Sequence, residues 1–179
     1  MSLPLEGRSE ALIAQARQVR GLVLDVDGVF TDGRLWYGPE GEALKAMDTR
    51  DGHGLVLLRF AKIPAAVLSG RPQALLHRRF KELRLAHVEE ACHEKGAGVE
   101  RVAEALGLPL DSLAFMGDDV NDLPALAKVG LSACPADAAP EVRAAAEFVS
   151  ARPGGRGAIR ELCELILAAQ GQWPPRYER

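Results

Sequence analysis

Residues 25–33 read Asp-Val-Asp-Gly-Val-Phe-Thr-Asp-Gly and follow the apolar run Gly21-Leu-Val-Leu24. In an extended segment, side chains at i and i+2 point the same way. Asp25 and Asp27 therefore crowd two negative charges at the end of a strand, where repulsion is tolerated if a cation lies between them or the pair does chemistry. Two more acids, Asp118 and Asp122, follow the apolar run Leu113–Met116, with Asp119 between them. Hard oxygen ligands at this density suit Mg²⁺, which keeps some waters and is often completed by a substrate phosphate. Asp118 and Asp122 also stand just before a helix, where an aspartate N-cap is the ordinary alternative. Ser69-Gly70 lies between a strand and a helix, so a hydroxyl and main-chain N–H groups face a site suited to an anion. Lys95 opens a helix, an unfavourable place for a cation unless it pairs with a phosphate or a carboxylate.

The elements that position these groups are read from hydrophobic spacing. Helices are expected over Ser9–Val19, from an Asp51 cap to Ala61, and over Gln73–Leu83, Lys95–Leu106, Asp122–Ala127, Pro140–Ala146 and Ala158–Ala169. Pro72 suits the first turn of the third of these. Strands are expected at Leu22–Val26, Ile63–Leu68, Leu85–Val88, Leu113–Met116, Val129–Ala133 and Phe148–Val149. Residues 34–47 stand apart: Leu-Trp-Tyr, the turn Gly38-Pro-Glu-Gly41 and Glu-Ala-Leu-Lys-Ala-Met read as a β-hairpin inserted after the first strand. Alternating strands and helices predict a parallel sheet covered on both faces, with ligands beyond the carboxyl ends of the strands. Polar residues follow three strands in that position.

The bulk properties narrow the field. A chain of 179 residues fits one domain, taken as residues 1–179 with the hairpin 34–47 and a C-terminal tail 171–179. The net charge of −3 gives no basic surface for nucleic acid or an anionic membrane. No apolar stretch reaches the roughly 18 residues of a membrane span, and Met1–Arg8 lacks the layout of a signal peptide. Cys92, Cys134 and Cys163 form no metal or disulfide motif, which fits free thiols in the cytoplasm. Asn121 is the only asparagine in the chain.

Taken together, Asp25–Thr31, Ser69, Lys95 and Gly117-Asp-Asp-Val-Asn-Asp122 resemble, in order, the four motifs of the haloacid dehalogenase superfamily of phosphotransferases. The resemblance spans Leu22–Ala133, and four ordered motifs at strand ends are far more specific than one Asp-x-Asp. It implies an α/β Rossmannoid three-layer sandwich around a central parallel sheet. It also implies that Asp25 is the nucleophile, forming an aspartyl-phosphate, and that Asp27 protonates the leaving alcohol and then activates water. Mg²⁺ would be bound by Asp25, Asp118 and the main-chain carbonyl of Asp27, with Asp122 acting through water or orienting Lys95. Ser69 and Lys95 would grip the phosphate oxygens, beside Gly28 and Gly70.

Superfamily members usually carry a cap domain. Here the gap after the first motif holds only the hairpin, so the chain resembles the capless branch. Thr31-Asp-Gly33, the hairpin, Lys45–Leu55 and Ser69-Gly-Arg71 are most similar to the 3-deoxy-D-manno-octulosonate 8-phosphate phosphatase group. That implies a small sugar-acid phosphate as substrate, a role in lipopolysaccharide synthesis and a homotetramer in which a neighbour's hairpin covers each site. Trp36 and Tyr37 would suit such an interface, and Arg50, Arg71 and Arg79 are candidates for binding the sugar carboxylate. Ala91-Cys-His-Glu-Lys95 departs from the usual Gly-rich approach to the lysine, leaving a nine-carbon ulosonate phosphate as an alternative substrate. A non-catalytic oligomerisation domain and a protein phosphatase are further alternatives. His53 and His93 are expected at the surface or behind the site, and the tail Trp173–Tyr177 is a candidate to reach a neighbouring active site.

Overall fold

The structure, a computed structural model, describes residues 4–174. Six strands form one parallel sheet: β1 (Gly21–Leu24), β4 (Ala65–Leu68), β5 (His87–Glu89), β6 (Leu113–Met116), β7 (Leu131–Cys134) and β8 (Phe148–Val149). Their order is β5-β4-β1-β6-β7-β8, so the chain winds outward from β1 in one direction and then returns to build the other side from β6. The strand order reverses beside β1, the place where such sheets open a crevice. The two remaining strands, β2 (Trp36–Gly38) and β3 (Gly41–Leu44), pair antiparallel as the expected hairpin.

The strands are apolar on both faces because helices cover both. Leu22, Leu24, Val67, Ala114 and Met116 pack with α1 (Glu10–Gln18), α2 (Thr49–Phe60) and α7 (Ala158–Ala169). Val23, Ala66, Leu68, Leu113 and Phe115 face the other way, against α4 (Lys95–Leu106) and α5 (Leu123–Leu126). The alternation hidden in each continuous run thus divides two cores. Complete burial of a leucine on either side contributes about 1.5–3 kcal/mol, which pins the sheet register and with it the residues at the strand ends.

Most elements start and end within two residues of expectation, and the departures have local causes. The helix expected from Asp51 begins earlier because the Asp48 carboxylate accepts from the main-chain N–H of Arg50 at 2.7 Å. Asp51 is instead inside α2, buried at 1% exposure. The helix expected from Gln73 opens as a 3₁₀ turn at Ala74–Leu76 and becomes α3 only at His77–Leu83. Gln73 has no capping bond there, and its side chain is drawn elsewhere. Of the tail 171–179, residues 175–179 lie outside the described residues. Trp173, at its start, is half-buried against the core, with the Arg160 guanidinium 5.4 Å from its ring centroid.

Candidate active site

The carboxyl ends of β1, β4 and β6 and the start of α4 converge on one buried polar group. The Lys95 side chain is fully buried, and its ammonium donates to Asp25 Oδ1 at 2.6 Å, Asp122 Oδ1 at 2.8 Å and the Leu68 carbonyl at 2.9 Å. A lysine has three protons to give, and all three are used inside the protein. A helix N-terminus disfavours a cation by its dipole, and here two carboxylates outweigh that. Burial alone would lower the Lys95 pKa, but the charges of Asp25 and Asp122 together raise it above the ordinary value. The lysine expected to hold phosphate oxygens is therefore first of all the counter-ion of the acids.

Asp25 is 7% exposed. Burial, then the negative charge of Asp122, raise its pKa to about 6 against the pull of Lys95. Asp118 is pushed further, to about 8, by burial and by the neighbouring charges of Asp25, Asp122 and Asp119. Oxygens of Asp25, Asp118 and Asp122 all lie within 4.8 Å of one another. One ammonium does not neutralise three carboxylates. An all-oxygen donor set with this unbalanced charge fits a hard divalent cation; the direct ligands expected from the sequence are Asp25, Asp118 and the main-chain carbonyl of Asp27, with Asp122 behind them. Gly28 leaves room for the arrangement: its φ of +93° suits glycine, and a Cβ there would run into the Asp118 carboxylate.

Asp122 is bonded to Lys95, and its side chain does not cap the helix that follows it. One oxygen faces Lys95, while the other accepts from the main-chain N–H groups of Asp118 and Asp119 at 3.0 and 3.4 Å. Asp119 points away and caps the following turn through Val120. Ser69 is 1% exposed, and its Oγ accepts from the Arg71 N–H at 3.2 Å and from Gln73 Nε2 at 2.9 Å. Its own proton is left for a ligand. The Asn121 amide lies beside Gly70.

Asp27 behaves differently from Asp25. Its side chain leaves the acidic cluster and meets Lys45 Nζ at 2.6 Å and Gln73 Nε2 at 2.9 Å. Neither Lys45 nor Gln73 was expected from the sequence, because they come from the hairpin's end and from the loop after β4, far apart in the chain. Of the three candidate arginines, Arg71 lies nearest the site: its guanidinium donates to Glu42 Oε1 at 3.1 Å, and Glu42 is 3.6 Å from Lys45. Arg50 pairs with Asp48 at 2.6 Å and reaches the Arg156 carbonyl, while Arg79 pairs with Glu82 at 3.3 Å. Neither is hydrogen-bonded to the cluster. His53 and His93 are exposed, as are Trp36 and Tyr37 at 57% and 68%.

The chain is similar to known proteins. A family model described as haloacid dehalogenase-like hydrolase matches residues 82–159. The 3-deoxy-D-manno-octulosonate 8-phosphate phosphatase KdsC of Escherichia coli K12 is 40% identical over 164 residues, covering 92% of this chain and 87% of that protein.

The chain belongs to the haloacid dehalogenase-like hydrolases.

Two solved structures of these hydrolases extend the likeness. The 3-deoxy-D-manno-octulosonate 8-phosphate phosphatase of Yersinia pestis has a TM-score of 0.90 at 38% identity, covering 93% of this chain and 90% of that one. The enzyme of the same name from Moraxella catarrhalis, solved with a magnesium ion, a phosphate ion and a KDO molecule, has a TM-score of 0.87 at 34% identity and covers 90% of this chain and 93% of that one. As a haloacid dehalogenase-like hydrolase the chain has the parallel sheet and flanking helices expected from its motifs, and its acidic triad, with Asp25 and Asp122 buried and Asp118 half-buried, suits a divalent metal. Among the described residues, no helix is long and apolar enough to cross a membrane.

Proposed function

We propose that the chain is a Mg²⁺-dependent phosphatase that releases phosphate from 3-deoxy-D-manno-octulosonate 8-phosphate in the cytoplasm. The observation that carries this reading is Asp25: a buried carboxylate 2.6 Å from Lys95, with Asp118 and Asp122 close enough to share one cation. The names and bound ligands of its relatives support the substrate.

Asp25, Asp118 and the main-chain carbonyl of Asp27 would hold the metal, with Asp122 beside them. When bound, the cation neutralises charge on the carboxylates and on the phosphate oxygens. Asp25 attacks phosphorus in line with the ester oxygen, forming the aspartyl-phosphate as the P–O bond to the sugar breaks. Asp27 gives its proton to the departing alkoxide. Water, relieved of a proton by Asp27, then attacks the same phosphorus and returns Asp25 as a carboxylate. Ser69 donates to a non-transferring oxygen. Lys95 fixes Asp25 and shares its charge with the phosphate that approaches it. Unaided phosphate-monoester hydrolysis is among the slowest known reactions, so preorganised charge of this kind has much to supply.

Arg71 is the arginine best placed for the sugar carboxylate, since a bidentate guanidinium can exchange Glu42 for a substrate acid. The exposed Trp36, Tyr37 and Leu44 of the hairpin offer an apolar face that a second copy would cover in a homotetramer. The test is kcat/KM for eight-carbon and nine-carbon sugar-acid phosphates and for phosphopeptides, each with Mg²⁺. Preference for the eight-carbon ester is expected. A higher value for either competitor would replace the substrate assignment.

A further inference from the structure

Asp27 lies in a loop, half-exposed, two residues beyond the nucleophile. A loop carboxylate has rotamers that point it away from any leaving group, so something must hold it. Lys45 Nζ donates to Asp27 Oδ1 at 2.6 Å and to Gln73 Oε1 at 2.7 Å. Gln73 Nε2 donates to Asp27 Oδ2 at 2.9 Å and to Ser69 Oγ at 2.9 Å. The three side chains close a ring, and its chemistry leaves one arrangement. Lysine only donates and an ionised carboxylate only accepts, so the Gln73 amide must turn its oxygen to Lys45 and its NH₂ to Asp27. A flipped amide would set donor against donor and acceptor against acceptor.

The ring is also shielded. The Lys45 side chain is fully buried and Gln73 is 1% exposed. A desolvated ammonium is costly unless paired, and Lys45 has Asp27, Gln73 and, at 3.6 Å, Glu42. Lys45 follows directly on β3, so the hairpin does more than cover the site: its last residues enter it. Each oxygen of Asp27 keeps a second lone pair. One of them can carry the proton that faces the ester oxygen while both remain gripped.

We propose that Lys45 and Gln73 are positioning residues that lock the Asp27 carboxyl toward the departing oxygen, making the hairpin part of proton delivery. This rests on the reading of Asp27 as the acid in the proposed reaction. In that step the Asp25–phosphorus bond forms, the bond from phosphorus to the ester oxygen breaks, and the Asp27 proton moves to that oxygen. Lys45 and Gln73 gain and lose nothing.

The contrasting role is a staple that merely fastens the hairpin, and leaving-group chemistry separates the two. p-Nitrophenolate departs without a proton, whereas an alkoxide needs one. The parameter kcat/KM reports steps up to departure of the alcohol. It is measured with Mg²⁺ for p-nitrophenyl phosphate and for a simple alkyl phosphate, in Lys45→Met, Gln73→Met, Asp27→Asn and Ser69→Ala. Thermal unfolding confirms that each variant is folded, and Gln73→Met alone suffices should Lys45→Met not fold. Both positioning variants are expected to lose at least about tenfold more on the alkyl ester than on the aryl ester, within the range of general acid catalysis. Asp27→Asn should show the same asymmetry, and Ser69→Ala should lose equally on both. Equal losses for Lys45→Met and Gln73→Met beside an asymmetric Asp27→Asn would overturn the proposal alone. Equal losses in Asp27→Asn would overturn the acid assignment beneath it.

Discussion

Two regions of this fold bury an aspartate, and they have opposite uses for it. At the end of β1, Asp25 faces Asp118 and Asp122, with one lysine among three acids. At the junction of α2 and α7, Asp51 is buried more deeply, yet its oxygens accept from the main-chain N–H groups of Gly157 at 3.0 Å and Arg160 at 2.8 Å. Asp51 thereby caps α7 from another helix, where Gly157 has no side chain to do so. Burial raises the pKa of both groups. Burial alone does not mark a functional acid. What distinguishes them is that the fold supplies donors to one and further acids to the other.

The largest expected effect is at the crowded acid. Asp25→Asn should reduce kcat/KM by at least about 10⁴-fold, on the scale of losing a nucleophile that works as part of a unit. Its metal-free thermal stability should hold or rise, because one of three mutually repelling charges is gone. A fall in stability like that of a lost cap would erase the contrast with Asp51. Chelation should likewise abolish phosphate release, and added Mg²⁺ should raise the melting temperature of wild type. Saturation at a hundred times Kd corresponds to about 2.7 kcal/mol. Asp118→Ala should lose that stabilisation, whereas Asp51→Ala should keep it, as calorimetry with and without metal would show.

Asp51→Ala reverses the pattern. Two helix-terminal N–H groups lose their acceptor, so denaturant unfolding should show a loss of about 1–3 kcal/mol. The kcat/KM of the folded enzyme should stay within a few-fold of wild type. The smallest effect concerns pH. A carboxyl whose folded pKa is raised binds its proton more tightly when native, so its contribution is present below the ordinary value of 3.8 and declines as pH rises through the folded value. Wild-type stability minus that of Asp51→Asn should therefore shrink as pH rises above 3.8. A widening gap would mean that the main-chain donors outweigh burial.

The sequence made the crowded acids legible for the same reason that it hid the satisfied one. Asp25 and Ser69 follow an apolar run directly and Asp118 follows one after a single glycine, so chain order alone places them at strand ends. Lys95 betrays itself as a cation at a helix start. Asp51 resembles an ordinary cap, and Asp48 takes that place because its carboxylate reaches the Arg50 N–H. Its true partners are 106 and 109 residues away, a distance that periodicity cannot span. The same holds for the ring around Asp27: Lys45 is 28 residues from Gln73 and 18 from Asp27. Arg50 and Arg79 find their partners close by in the chain, Asp48 two residues off and Glu82 three.

The most direct test is to catch phosphorus on Asp25. Substrate and Mg²⁺ are mixed with excess enzyme and quenched with borohydride within one turnover, and the peptide carrying residues 25–27 is sequenced by mass spectrometry. An acyl phosphate is reduced to the alcohol, so residue 25 should appear as homoserine in proportion to the substrate consumed. Phosphate released at the normal rate with residue 25 still an aspartate, or reduction found at another carboxylate, would contradict Asp25 as the nucleophile.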